Sequence, residues 1–158
     1  MSETTIRRAG IEDGAVLSHL RDLIEAHHEH LSDARIVVLF RDPPSMSKGK
    51  LVLGTARKGT PAERALAAEE PDFVLMLAAG PWRSATVAQR LALLDHELCH
   101  CVGDTENGWS MRGHDVEDFT EIIERHGLWK EDLEEFGSAV RQLELPLEEV
   151  ERRLRAVP

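Results

Sequence analysis

Residues 84–103 read SATVAQRLALLDHELCHCVG, and this run decides the fold. At about 100° per residue, Val87, Leu91, Leu94 and Leu98 share one stripe of a helix, while His96 and His100 point to nearly the opposite side. Ser84 offers an N-cap and Gly103 a stop, so the spacing predicts a helix from Ser84 to about Val102. Histidines at i and i+4 stand on adjacent turns, and both rings can reach one tetrahedral ion at about 2.0–2.1 Å. Glu97, beside the first histidine, is placed to deprotonate a water whose pKa zinc has lowered toward ~7. His96 and His100 are therefore the expected Zn2+ ligands, and Glu97 the expected catalytic base.

Upstream, Asp72 to Ala79 is an apolar run stopped by Gly80-Pro81 and reads as a strand leading toward that helix. Ile36 to Phe40, closed by Asp42-Pro43-Pro44, reads as a second strand, and Leu51 to Arg57 as a third. Thr60, Pro61 and Glu63 make a capped helix start running to about Glu70. Val16, Leu20, Leu23 and Ile24 recur at helical spacing between Asp13 and Glu29. Downstream, a helix is expected from Asp115 to His126, with Val116, Phe119, Ile122 and Ile123 inward and Gly127 as its stop. The rest reads as acidic helices broken near Gly137 and Pro146. The expectation is an α+β fold, a three-stranded sheet packed on the histidine-bearing helix.

The chain has 158 residues, 42% of them hydrophobic, which suits one domain with a real core. No apolar run approaches the roughly 18 residues of a membrane helix, and Met1 to Gly10 lacks the apolar stretch of a secretory signal, so no membrane partner and a cytoplasmic setting are expected. The net charge of −10 argues against general nucleic-acid binding, which needs clustered cations. Residues 41–64 are locally basic, with Arg41, Lys48, Lys50, Arg57, Lys58 and Arg64 against Asp42 and Glu63; a solvated hairpin or edge accounts for them. Cys99 and Cys101 are too close in sequence for an unstrained disulfide in a helix or strand and read as core or partly buried thiols. His19, His27, His28 and His30 read as a solvated helix end, and Trp82, Trp109 and Trp129 as packing anchors, Trp109 with a possible place in the pocket.

A catalytic zinc needs a third protein ligand and an open position. Two residues compete. Glu106 follows His100-Cys101-Val102-Gly103 as in the metzincin continuation, although Met111 stands too close behind it for a methionine turn. His114, in Gly113-His114-Asp115-Val116-Glu117-Asp118-Phe119, opens the next expected helix. Asp115 or Asp118 would then orient a ligand histidine. With no tyrosine in the chain, oxyanion stabilisation falls to Arg112, Arg125, His126 or the ion itself.

The order strand, His-Glu-x-x-His helix, loop, then Gly-His-x-x-x-x-Phe resembles the SprT-like minimal zincins. It is closer still to the metallopeptidases of phages and prophages, in His96 to Cys101, in His114 to Phe119 and in the Arg-x-Gly ending at Gly127. The resemblance covers residues 34–127, the core of a single expected domain over 1–158 whose segment 128–158 is acidic and helical. It implies His96, His100 and His114 as metal ligands, Glu97 as the base, and peptide-bond hydrolysis on a protein or peptide substrate. The chain lacks the zinc-ribbon cysteines of relatives that act on DNA-bound proteins, so nucleic acid is not an expected partner. Two other readings stand beside the peptidase: a nuclease-like zinc hydrolase, and a binding module in which zinc is only structural. If the fold is zincin-like, the strand at 73–79 would pair an extended substrate, provided one of its edges is free.

Overall fold

The structure is a computed structural model that describes residues 2–155, with side chains described for residues 2–143. Met1 and residues 156–158, the ends of the expected 1–158 domain, lie outside the described residues. Among the described residues no helix is long and apolar enough to cross a membrane. The chain divides into two compact units, Met1–Gly113 and His114–Pro158.

The first unit is mixed α and β. Strand β1 (Thr5–Arg8) precedes helix α1 (Val16–His27), a 3-10 turn at Glu29–Leu31 and strand β2 (Ile36–Asp42). A small hairpin, β3 (Met46–Ser47) with β4 (Lys50–Leu51), leads to β5 (Gly54–Lys58) and helix α2 (Pro61–Leu66). Then come β6 (Phe73–Ala78), α3 (Ala79–Ser84), α4 (Val87–Cys99), and the strands β7 (Cys101–Asp104) and β8 (Gly108–Met111).

The main sheet has four strands in the order β1-β2-β6-β5, one more than expected. The additional strand is β1, which pairs antiparallel to β2 with Thr5 opposite Asp42. All four of its residues are exposed, so it carries no inside–outside alternation in sequence. β2 and β6 run parallel, Ile36 opposite Phe73, and β6 is buried along nearly its whole length, as a central strand must be. Val38, Phe40, Phe73, Leu75 and Leu77 of these strands join Val16 and Leu20 of α1 and Leu94 and Leu98 of α4 in one core. Each fully buried leucine there contributes about 2 kcal/mol by leaving water. Trp82 of α3 is the anchor expected of it: 2% exposed, edge-on to Phe40 at 5.8 Å, its indole N–H donating to the Asp13 carbonyl at 2.9 Å.

Three local expectations are corrected here. Gly80-Pro81 does not merely stop β6; it sits in the first turn of α3, where the missing proline N–H costs no helix bond. The cap of α4 is Thr86, not Ser84, in a reciprocal box with Gln89. And α4 ends at Cys99 instead of continuing to Val102, because Cys101 to Asp104 form a strand; Gly103, at φ 108°, serves that hairpin and not a helix stop.

The second unit consists of α5 (Thr120–His126) and α6 (Glu131–Arg155). Residues 115–119 precede the helix expected to include them, and Phe119, expected inward, is its N-cap and 74% exposed. Gly127 ends α5 at φ 67°, as the sequence implies. α6 passes through both expected breaks, Gly137 and Pro146. At Gly137 a side chain would have met Leu128, 2.5 Å from the position of its Cβ, so the glycine serves close packing within a helix and costs it only about 1 kcal/mol. Trp129 is no buried anchor: it is 57% exposed and donates to Asp118 Oδ2 at 3.0 Å.

Candidate active site

The capping box at Thr86 and the buried pair Leu94 and Leu98 fix how α4 is turned about its axis. Leu94 and Leu98 face the core, and the residues two positions later, His96 and His100, emerge about 200° round the helix, on another side. Their rings stand 5.1 Å apart at 80°, with ligand nitrogens within 4.8 Å of each other. This is the separation from which two imidazoles can close on one ion.

The end of α4 determines which nitrogen of His100 is offered. His100 Nδ1 is 2.7 Å from the Arg112 carbonyl oxygen, and the Arg112 N–H donates back to the His100 carbonyl at 2.8 Å. A carbonyl can only accept, so Nδ1 carries the proton and Nε2 keeps its lone pair for a ligand. The β7–β8 pairing, Cys101 opposite Met111, holds Arg112 in that place. Nothing in the side chain of Arg112 signals this role, since the group used is a main-chain carbonyl.

Glu97 is 3% exposed, on the side of α4 next to β5. Burial pushes its carboxyl above the usual range, while the nearby His100 pulls the other way. Gly54, at the start of β5, leaves the space it occupies: a Cβ there would stand 2.9 Å from Glu97 Oε1. A glycine at the start of a strand signals such a close approach, which the sequence reading did not use. A mainly apolar cleft of about 780 Å³ opens from this point, walled by Leu53, Gly54, Pro81 and Leu93 and bordered by His96 and Glu97.

The structure bears on two expectations about this site. Glu106 sits in the turn at the tip of the β7–β8 hairpin, where Asp104 Oδ1 accepts its N–H at 2.8 Å. The strand β7 stands between it and the end of α4, so its place is in a surface turn of the hairpin. β6 has no free edge for a substrate, because β2 and β5 occupy both sides. The stretch bordering the cleft is instead the segment from β4 into β5. Trp109 of β8 is half-buried and packs edge-on against Phe73 at 5.6 Å; it is not among the cleft's walls.

His96, Glu97 and His100 thus come together on one helix of the first unit. His114 is the first residue of the second unit, six positions before α5 begins, so it does not cap that helix. Arg125 and His126 lie in the last turn of α5. Asp118 is engaged by Trp129 and by Lys130, whose ammonium is 3.8 Å away.

A helix end with paired histidines, a buried glutamate between them and a cleft alongside has the donors to hold a metal ion beside a carboxylate. The chain belongs to the family described as Putative phage metallopeptidase, which matches residues 11–157. No curated protein and no solved structure matches it. The phage metallopeptidase match spans both units and contains every site residue named above. Membership implies a bound metal, commonly zinc, and the histidine pair of α4 has the donor chemistry and spacing to hold one.

Proposed function

We propose that this protein is a zinc-dependent endopeptidase of zincin type, with His96, His100 and His114 as the metal ligands and Glu97 as the general base. The observation that carries the reading is that His96 and Glu97 both line one apolar cleft, so metal-holding and proton-accepting groups meet where a peptide can lie.

When bound, zinc acts as a Lewis acid that acidifies water and polarises a carbonyl. The protein supplies the remainder. His100 presents Nε2 because the Arg112 carbonyl holds the proton on Nδ1. Arg112 precedes His114 by two residues, and two trans peptide links keep the two Cα atoms within about 7.6 Å. This short tether supports His114 as the third ligand. Glu97 accepts a proton at its carboxylate and returns it to the leaving amine; burial pushes its carboxyl above the ordinary range. The mainly apolar cleft walls favour apolar side chains on the peptide.

Replacing Glu97 by Gln tests the mechanism against a library of unstructured peptides. The variant should bind zinc as the wild type does and lose at least a hundredfold in kcat/KM. Cleavage at the wild-type rate by Glu97→Gln would remove the glutamate from the mechanism, and an inactive, zinc-loaded wild type with unchanged partner binding in the variant would favour a structural zinc.

A further inference from the structure

A second set of donors lies on a different flank of α4. Asp95 and Cys99 are four residues apart and share a face, turned about 100° from that of His96 and His100. His28, the residue that ends α1, reaches this face from the neighbouring helix, its Nε2 2.6 Å from Asp95 Oδ1. Far from sitting at a solvated helix end, His28 is only 6% exposed, which holds its ring in one place. One ligand atom from each of His28, Asp95 and Cys99 lies within 4.8 Å of the other two.

We propose that His28, Asp95 and Cys99 form a second metal site that takes one zinc-like divalent ion. Imidazole, carboxylate and thiolate are the three ligand types zinc accepts. Bond lengths of roughly 2.0–2.3 Å put tetrahedral ligand atoms about 3.4–3.7 Å apart. The His28–Asp95 pair, at 2.6 Å, must therefore open by about an ångström, and Cys99, within 4.8 Å of both, need close by no more than about 1.4 Å. Side-chain torsions of Asp95, which is 42% exposed, and of Cys99, which is exposed, supply both movements without shifting the helices. The buried histidine needs no movement of its own, and the exposed side of the cluster leaves a fourth position to water. In this arrangement the ion replaces the proton shared by His28 and Asp95 and ties the end of α1 to the end of α4, one residue from His100. The proposal does not depend on the peptidase reading.

Cobalt titration of chelator-stripped protein separates the two sites, because a cobalt–thiolate bond gives an intense near-ultraviolet charge-transfer absorption and the histidine ligands of the first site give none. The absorption should appear in the wild type, persist in Cys101→Ser and in the double variant His96→Ala/His100→Ala, and vanish in Cys99→Ser. Asp95→Asn should weaken cobalt binding at this site at least tenfold, with circular dichroism confirming that each variant is folded. Absence of the band in the wild type would overturn the proposal. So would a band that follows Cys101 or the His96/His100 pair instead of Cys99.

Discussion

The backbone of Gly54 and the carboxylate of Glu97 are so close that a methyl group on Gly54 would stand 2.9 Å from Glu97 Oε1 and 3.3 Å from Leu77 Cδ2. Gly54→Ala therefore displaces the glutamate without touching any proposed ligand. The end of a side chain can swing away, so the stability cost should be no more than about 1 kcal/mol. Misplacement of the base by an ångström is far more expensive in rate, and kcat should fall at least tenfold with zinc content unchanged. Peptidase assays paired with metal analysis check this. Full activity in Gly54→Ala would mean that the position of Glu97 seen here is not the working one.

Gly103 holds the hairpin that orients His100. At φ 108° an L side chain is strained, and its Cβ would fall 2.2 Å from the Gly108 carbonyl oxygen, a backbone atom that cannot rotate away. Gly103→Ala should disturb β7–β8 pairing and with it the bond between His100 Nδ1 and the Arg112 carbonyl. Loss of such an orienting bond typically weakens a metal site 10–100-fold. Competition with a chromophoric chelator should show a loss of that order, together with a lower Tm; unchanged zinc affinity would separate the hairpin from the metal site.

Much of this was legible because side-chain pattern and local chemistry agreed. Thr60, Pro61 and Glu63 announce the capping box that begins α2, the apolar runs announce β2 and β6, and the i, i+4 histidines announce the face on which two imidazoles meet. The misread parts are those where one local signal has two physical uses. Cys101, Val102 and Gly103 continue an apolar helix and its stop as well as they begin a hairpin, and only the pairing with residues 109–111 decides between them. The roles of Gly54 and of the Arg112 carbonyl come from neighbours distant in sequence. His28, one of a cluster that looks solvated, is buried because Asp95 of α4 meets it.

The Arg57–Glu63 pair should make stability depend on acid. Arg57 donates to both oxygens of Glu63, at 2.8 and 2.5 Å, and the Thr60 N–H donates to Oε2 at 2.8 Å. The guanidinium contact first, and the backbone bond next, hold the Glu63 carboxyl at about 2, below its ordinary 4.5. A carboxyl depressed by folding stabilises above its unfolded value, and that contribution is lost as pH falls from about 4.5 through 2. The depression corresponds to about 3 kcal/mol at face value, and screening of a pair exposed by 41% and 33% reduces it to about 1 kcal/mol. Urea unfolding of wild type and Glu63→Gln should thus differ by about 1 kcal/mol at pH 6 and converge near pH 2. A difference constant over that range would assign the effect to something other than the carboxylate charge.

Asp13 is the more demanding carboxylate, being 7% exposed where the chain turns into α1. Arg7 donates to its two oxygens at 2.8 and 2.6 Å, and the Gly10 N–H donates to Oδ2 at 2.6 Å. The arginine, itself 46% exposed, stacks its guanidinium 5.1 Å from the centre of the Phe40 ring, so the pair also covers the core. Arg7→Met keeps much of that cover but strands a buried negative charge. Leaving the Asp13 carboxylate buried without its guanidinium is unfavourable, so Arg7→Met should lower Tm. Adding Asp13→Asn removes the stranded charge and leaves an amide that can still accept the Gly10 N–H, so the double variant should be more stable than Arg7→Met alone. Thermal unfolding of the wild type, both single variants and the double variant closes the cycle. Strictly additive losses would mean that Arg7 and Asp13 act separately, and that the turn into α1 is held by the backbone bonds of Asp13 instead of by this ion pair.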